Sequence, residues 1–325
     1  MSASSPARAT RSSPVAIACL LVVGGLLGLS LNIAKLAALE GASPVALLFW
    51  ASLGSGVVLQ IVALAKGQAP RLRWQTFEYG AISGFLFAAP NIVALLAIHH
   101  IGAGIVSLTF AFPILFTYVL ALLLRLEGFV GTRALGVACG LCGAVLLALP
   151  KVNASDAAFL WFCFAMAAPV IIAVGNIYRT VRWPVGETSL SLAPLMLVGG
   201  GIATLLIMLV VGEGQSLITF PTETALILLV AQTVVFTVMY ACYFLLQWLA
   251  GPAYLSQIGS VAAVVGGAVA IGLLGEPLPQ NLLLAAAFIS TGVVLVSRIA
   301  RAKAATGSNR RGGRGDAVAH EDLAG

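Results

Sequence analysis

The chain has 325 residues, of which 60% are hydrophobic and only 9% are charged. Soluble domains carry roughly 25% charged residues, so this chain has too little charge to cover a water-facing surface. The composition therefore excludes a soluble enzyme, a nucleic-acid-binding domain and a disordered protein, and it predicts an integral membrane protein. The net charge of +6 is then interpreted as a signal of membrane topology.

Ten stretches are apolar and long enough for a membrane-spanning helix, which needs about 20 residues. They cover residues 15–38, 44–65, 77–98, 103–124 and 131–149, then 158–178, 189–211, 224–248, 253–274 and 280–299. Short connections rich in glycine and proline separate them, so neighbouring helices run antiparallel. Because backbone groups in lipid must be satisfied internally, the pattern predicts an all-α membrane protein with ten transmembrane helices.

Four regions follow from this count. Residues 1–14 are a short cytoplasmic tail, and the apolar run after it is interpreted as a retained first span, because it is too long for a signal peptide. Residues 15–150 and 151–299 are two five-helix repeats. Residues 300–325 form a basic cytoplasmic tail that we expect to be disordered, with binding to lipid headgroups as the alternative.

The basic residues orient the chain. If the N-terminus is cytoplasmic, fifteen of the 17 lysines and arginines lie on the cytoplasmic side, and only Lys35 and Lys151 lie on the other. The cytoplasmic set is Arg8, Arg11, Lys66, Arg71, Arg73, Arg125, Arg133, Arg179, Arg182, Arg298, Arg301, Lys303, Arg310, Arg311 and Arg314. The positive-inside rule therefore predicts that both termini are cytoplasmic.

The two halves contain matching segments. The stretch 31–35 aligns with 175–179 at an offset of 144, and three later matches share an offset of 149: Ser107 with Ser256, Glu127 with Glu276, and Gly143 with Gly292. Since each half holds an odd number of spans, the second repeat is inverted in the membrane. Inverted repeats recur in secondary transporters, whose substrate site lies near the midplane; the alternative is an old duplication in a membrane protein that does not transport.

The chain resembles the ten-span EamA-type permeases of the drug/metabolite transporter superfamily over about residues 15–299. The resemblance rests on segments 27–35 and 41–44, on Pro113 followed by Glu127, and on segments 273–277 and 292–295. It implies export or exchange of small metabolites, such as amino acids, across the bacterial inner membrane.

Polar residues and prolines inside apolar spans are the candidate site residues, because they are costly in lipid. In span three, Pro90 should free a carbonyl and break the helix, and Asn91 offers amide groups beside it. Span four has Thr109, Pro113 and Tyr118. We expect these residues to line a substrate cavity. The alternative, for Asn91, is a hydrogen bond between helices.

Spans eight and nine add a second polar set. The candidate residues are Gln232, Thr233, Thr237 and Tyr240 in span eight, and Ser256 and Ser260 in span nine. Positions 233, 237 and 240 share one helix face. The set predicts a polar path through the bundle, and the alternative is that the hydroxyls bond to their own helices.

Four repeat-related residues are given structural or hinge roles. Asn32 and Asn176 lie near span ends, whereas Glu127 and Glu276 lie in short turns before helix N-termini, where negative charge is favourable. No Asp or Glu lies in the middle third of any span. Because proton-coupled cation exporters need an embedded carboxylate, this absence favours neutral or zwitterionic substrates.

The function predicted from these features is a secondary transporter, an exporter or exchanger of small metabolites such as amino acids, in the bacterial inner membrane. The expected partners are a small-molecule substrate and the lipid bilayer, without nucleic acid. No enzymatic or metal-binding motif is present, so we expect no catalysis, cofactor or metal. The alternative is a membrane scaffold or sensor whose basic tail docks a partner.

Overall fold

The computed structural model describes residues 14–71, 73–124, 128–154, 156–211, 220–250, 257–273 and 283–292, and six single positions: 217, 255, 275, 281, 294 and 295. Within these residues the regular structure is helical, without strands. The helices are α1 (Pro14–Leu39), α2 (Pro44–Ala65), α3 (Trp74–Ile101), α4 (Ala103–Thr109), α5 (Pro113–Leu123), α6 (Gly131–Ala154), α7 (Asp156–Ala165), α8 (Ala167–Val181), α9 (Ser189–Val211), α10 (Glu223–Ala250), α11 (Ile258–Gly272) and α12 (Leu283–Gly292).

Six helical segments of the described chain are long and apolar enough to cross a membrane. They correspond to α1, α2, α3, α7 together with α8, α9 and α10, while α11 and α12 are shorter apolar helices. The predicted all-α fold with several candidate membrane helices is therefore confirmed. Large apolar side chains also cover the outside of the bundle, for example Leu21, Val57, Phe85, Val210 and Val234, as expected of a surface that meets lipid.

The helix break expected at Pro90 is wrong. Helix α3 continues through Pro90 to Ile101, because one lost backbone hydrogen bond does not outweigh the remaining bonds and the packing of α3 against α8 and α9. The break lies in the next span instead. Residues Phe110–Phe112 form a turn between α4 and α5, and Pro113 opens α5 at a position where its missing N–H is not needed.

The fifth span, expected to end at residue 149, continues as α6 to Ala154. The expected sixth span is interrupted once, at Met166, whose backbone N–H still bonds to the Phe162 carbonyl at 3.1 Å. Helices α7 and α8 are thus two parts of one nearly continuous apolar segment.

Glycines bring α1 and α11 into backbone contact. A β-carbon at Gly28 would lie 2.6 Å from the Gly266 nitrogen and 2.7 Å from the Ala262 carbonyl oxygen. The Asn32 amide of α1 donates to the Gly28 oxygen at 2.8 Å and across the interface to the Gly266 oxygen at 3.1 Å. This close approach holds the first helix against the eleventh.

Helices α6 and α12 meet through a second pair of glycines. A β-carbon at Gly143 would lie 2.6 Å from Ile289, and one at Gly292 would lie 2.5 Å from the Gly136 oxygen and 2.9 Å from the Gly140 nitrogen. Each of the two repeat-related glycines, Gly143 and Gly292, therefore faces the helix that carries the other.

We expect Gly28→Ala to destabilise the protein by about 1–3 kcal/mol, because the added methyl group overlaps backbone atoms of α11 that cannot move freely. Gly25→Ala is the matched control, since a β-carbon there meets no atom within 4 Å. Thermal unfolding of both variants in detergent measures the difference. Equal unfolding temperatures would show that the α1–α11 contact is looser than described.

Candidate functional site

A cavity of about 80 Å³ lies at the centre of the bundle. One water needs about 10–15 Å³, so the cavity has room for about five to eight waters or a small molecule. Its wall comes from α1, α3 and the α4–α5 segment in the first half of the chain, and from α8, α9, α10 and α11 in the second. The cavity thus lies where the two halves of the sequence meet.

Four of the predicted site residues line this cavity: Pro90, Asn91, Pro113 and Tyr240. Asn176, predicted as a structural or hinge residue, lines it as well. Most of the remaining wall is apolar, with leucine, methionine and phenylalanine side chains. The site therefore combines a largely apolar surface with a few polar groups, as is typical of small-molecule sites.

Pro90 and Asn91 form the polar part of α3. Proline has no N–H, so the carbonyl of Leu86, another residue of the cavity wall, loses its helical partner. The Asn91 amide donates to the Phe87 oxygen at 2.7 Å. Asn91 of α3 and Tyr240 of α10 both supply polar groups to the cavity wall.

Other predicted residues bond within their own helices. Thr109 donates to the Val106 oxygen at 2.7 Å, Thr233 to the Leu229 oxygen at 2.9 Å, and Thr237 to the Thr233 oxygen at 2.8 Å. None of the three predicted residues is part of the cavity wall.

The remaining predicted residues lie elsewhere. Gln232 donates to Ser30 at 2.6 Å, which joins α10 to α1, and the Ser260 hydroxyl is buried away from the cavity wall. Tyr118 bonds through its hydroxyl to the backbone of Val130. Asn32 lies at the α1–α11 contact. The predicted residues Ser256, Glu127 and Glu276 are outside the described residues.

The charged residue of the cavity is Arg179, in the last turn of α8. Its side chain is only 4% exposed. Nη2 donates to Asn176 Oδ1 and to the Tyr243 hydroxyl, both at 3.0 Å, and the Tyr243 hydroxyl donates to Asn176 Oδ1 at 2.8 Å. The guanidinium also lies 5.5 Å from the centre of the Tyr243 ring, within the range of a cation–π contact.

The charge of Arg179 has no acidic partner among the described residues: its hydrogen bonds go to Asn176, Tyr243 and, at 3.9 Å, the sulfur of Met196. Its Nε is buried and makes no hydrogen bond there. The carbonyl end of α8 favours a positive charge and offsets part of the desolvation cost. A buried cation without a carboxylate is unusual and is typical of a functional position.

Local sequence explains how the arginine lies in the cavity. Gly175, one turn before Arg179, has no side chain, and a β-carbon there would lie 3.1 Å from both terminal nitrogens of the guanidinium. The arginine therefore lies along its own helix over Gly175. Asn176, on the next position of the same turn, accepts the hydrogen bond that fixes its direction.

Arg179 and Arg133, which the predicted topology assigns to the cytoplasmic side, both lie within helices. Arg179 is a buried residue of α8, and Arg133 is a buried residue of α6 whose guanidinium lies 5.2 Å from the centre of the Tyr118 ring. The expected sixth span ends at residue 178, one residue before Arg179, and the expected fifth span, 131–149, already includes Arg133. The signal that could have found Arg179 is the spacing of Gly175, Asn176 and Arg179, which places all three on neighbouring positions of one helix face.

An aromatic cluster of Tyr79, Tyr178, Trp183 and Phe244 lies beyond Arg179, toward the end of the bundle where α8 finishes. Ring centres are 6.1 Å apart for Tyr79 and Tyr178, 6.5 Å for Tyr79 and Trp183, and 6.1 Å for Trp183 and Phe244. Phe244 in turn contacts Tyr243 at 5.7 Å. The cluster joins α3, α8 and α10 next to the site.

Hydrogen bonds between loops connect the two halves at both ends of the bundle. Near the aromatic cluster, the backbone N–H of Arg71 donates to Glu187 at 3.1 Å and Thr188 donates to Gln68 at 3.0 Å. At the opposite end, Thr222 donates to Glu40 at 3.0 Å. These side-chain contacts are few and partly exposed, so they can exchange with water at low cost.

Comparison with known proteins gives information on the fold but not on the function. No protein-family model matches the chain, and no curated protein matches it. Sixteen chains of solved structures match. One, described only as "Crystal structure of protein", has a TM-score of 0.58 and 16% sequence identity, over 87% of this chain and 99% of that chain. The likeness shows a common fold alone.

We expect Tyr243→Phe to destabilise the protein by about 1–3 kcal/mol, because it removes a hydrogen bond from a buried charge and leaves Asn176 with one donor fewer. Tyr178→Phe is the control, since the Tyr178 hydroxyl makes no hydrogen bond among the described residues. Chemical or thermal unfolding in detergent compares the two. Equal losses would argue that the contact with Arg179 contributes no stability.

Proposed function

We propose that the protein is a secondary transporter of small zwitterionic or neutral metabolites, such as amino acids, and that it works by alternating access around the central cavity. It is an exporter or exchanger of the EamA type in the bacterial inner membrane, with both termini cytoplasmic. The observation that supports this most strongly is the position of the cavity, which lies between helices of both halves and is lined by Asn91, Asn176, Arg179 and Tyr240.

The pattern of helix packing supports two inverted repeats of five spans. In the proposed alignment, α1 corresponds to α7 with α8, α2 to α9, α3 to α10, α4 with α5 to α11, and α6 to α12. Three contacts then have counterparts under this alignment. The α1–α10 contact corresponds to the α8–α3 contact, the α1–α11 contact to the α8–α5 contact, and the α3–α9 contact to the α10–α2 contact. All six contacts are present. The contacts α2–α9 and α4–α11 relate each element to its own counterpart.

The ten-span count has a physical rationale in the remaining four segments. α4 with α5, α6, α11 and α12 lie between or after the six long helices. α6 is packed on α12 through glycines, and α11 on α1 and α4. Interrupted helices are tolerated in a membrane protein where they are buried against other helices or line a cavity. The turn at Phe110–Phe112 satisfies this condition, since both Phe110 and Pro113 are at the cavity wall.

Alternating access would use the loop contacts at the two ends. Opening the cavity toward the end where α8 finishes requires separation of Glu187 from Arg71 and of Thr188 from Gln68, with movement of the aromatic cluster. Opening toward the other end requires separation of Thr222 from Glu40. Each step breaks a small number of polar contacts at the ends of the bundle. The tight glycine contacts pair helices across the two halves, α1 with α11 and α6 with α12, so the units that rock would combine helices of both halves.

We expect Asn91→Ala and Tyr240→Ala to reduce transport several-fold in proteoliposomes loaded with a panel of labelled amino acids, because both remove polar groups from the cavity wall. Leu96→Ala and Val238→Ala are matched controls on the same helices, at side chains that are 41% and 44% exposed on the outside of the bundle. If the cavity variants transport as well as the controls, the cavity is not the substrate path.

Deleting residues 300–325 separates this proposal from a scaffold or sensor that works through its tail. A transporter should retain uptake or efflux in proteoliposomes without these residues, since the cavity lies wholly within the bundle. Complete loss of a cellular phenotype on tail deletion, with transport absent from the intact protein, would favour the scaffold instead.

A further inference from the structure

The Arg179 guanidinium has donors that the protein does not use. An arginine carries five N–H groups. Two are engaged by Asn176 and Tyr243 through Nη2, and Nη1 meets only the weakly accepting sulfur of Met196. Nε is buried and unpaired among the described residues. Since an unmatched buried donor of a charged group is unfavourable, the arrangement suits an acceptor that arrives from the cavity.

We infer that Arg179 binds the carboxylate of the transported molecule and that the substrates are small monocarboxylates with an apolar body, with or without an amino group. This inference rests on the proposed transport function and narrows its substrate class. A carboxylate is planar and has two oxygens, which match the planar fork of a guanidinium. The pairing would satisfy the unused donors and neutralise the buried charge in one step.

The charge of the cavity favours a single carboxylate over other ligands. Arg179 is the only charged side chain among the described residues of the wall. A phosphate group carries about two negative charges near neutral pH and would remain half-neutralised, whereas one carboxylate balances one guanidinium. A molecule whose only charge is positive would be repelled, since the described wall offers no carboxylate to bind it.

The rest of the wall explains the apolar body. Met196, Met239 and Phe87 line the cavity beside Arg179, and methionine side chains adapt to ligands of different shape. Phe87 and Tyr240 meet edge to face with ring centres 5.1 Å apart and supply an aromatic part of the wall. Asn91 and Tyr240 supply neutral polar groups for an amino or hydroxyl substituent, but no charge.

Thermal unfolding of the full-length protein in detergent tests the inference with matched ligands. Two series are used: L-leucine, 4-methylpentanoate and 3-methylbutylamine; and L-phenylalanine, 3-phenylpropanoate and 2-phenylethylamine. Within each series the second compound lacks the amino group and the third lacks the carboxylate. We expect the carboxylates of at least one series to raise the unfolding temperature by about 2–4 °C near saturation, and the amine to have no effect.

Substitutions of Arg179 test whether the shift in unfolding temperature depends on this side chain. Arg179→Gln should abolish the shift, and Arg179→Lys, which keeps the charge but loses the fork, should reduce it. Arg182→Gln is the matched control: it lies three residues further on, is exposed, and should keep the full shift. If Arg179→Gln does not fold, the difference between carboxylate and amine on the unmodified protein still decides the question.

Several results would overturn the inference. They are an amine that stabilises as well as its carboxylate partner, a shift that survives in Arg179→Gln, no shift with any carboxylate in either series, or a larger shift with inorganic phosphate or sulfate. Transport is measured separately. Arginine-dependent carboxylate binding without flux in proteoliposomes would leave the site intact and reject the transport function, whereas flux that does not depend on Arg179 would reject the site and leave transport intact.

Discussion

A positive charge buried among apolar helices is the constraint on which the centre of this bundle depends. Arg179 is 4% exposed, and removing an isolated guanidinium from water costs several kcal/mol unless polar groups replace the water. That replacement comes from the last turn of α8, from the side-chain oxygen Oδ1 of Asn176 and from the Tyr243 hydroxyl. Gly175 leaves the space in which the side chain lies. The cavity is therefore formed around a charge that is solvated by dipoles and left without a counter-ion among the described residues.

Tight and bulky packing occur together in this bundle. Glycines allow helix backbones to touch, as between α1 and α11 or where Gly84 of α3 meets Gly199 of α9. At the cavity wall, the large rings of Phe87 and Tyr240 pack edge to face. Rings cannot fill irregular space completely, and the turn at Phe110 removes part of a helix. Tight contacts thus fix the frame, while bulky residues leave room within it.

The sequence predicts the helical class, because apolar stretches of about 20 residues have the length of a membrane-spanning helix. The structure confirms this class. Pro90, Asn91, Pro113 and Tyr240 could be found because each stands out in an apolar span. Gln232 stands out equally, but it joins α10 to α1, and a single sequence does not separate such a contact from a cavity position. Hydropathy does not distinguish Arg179, because an arginine just beyond an apolar run fits a cytoplasmic loop as well as a buried helix end; only its spacing from Gly175 and Asn176 points to the helix.

The buried arginine also limits how transport could be driven. Arginine does not release its proton in proteins, so this side chain cannot pick up a proton on one side of a membrane and release it on the other. The described wall of the cavity holds no carboxylate and no histidine that could do so instead. Because the charge of Arg179 is permanent, only the binding of a ligand of opposite charge neutralises it. In the proposed transporter, neither Arg179 nor the described wall of the cavity would therefore carry a coupling proton, which is compatible with an exchanger.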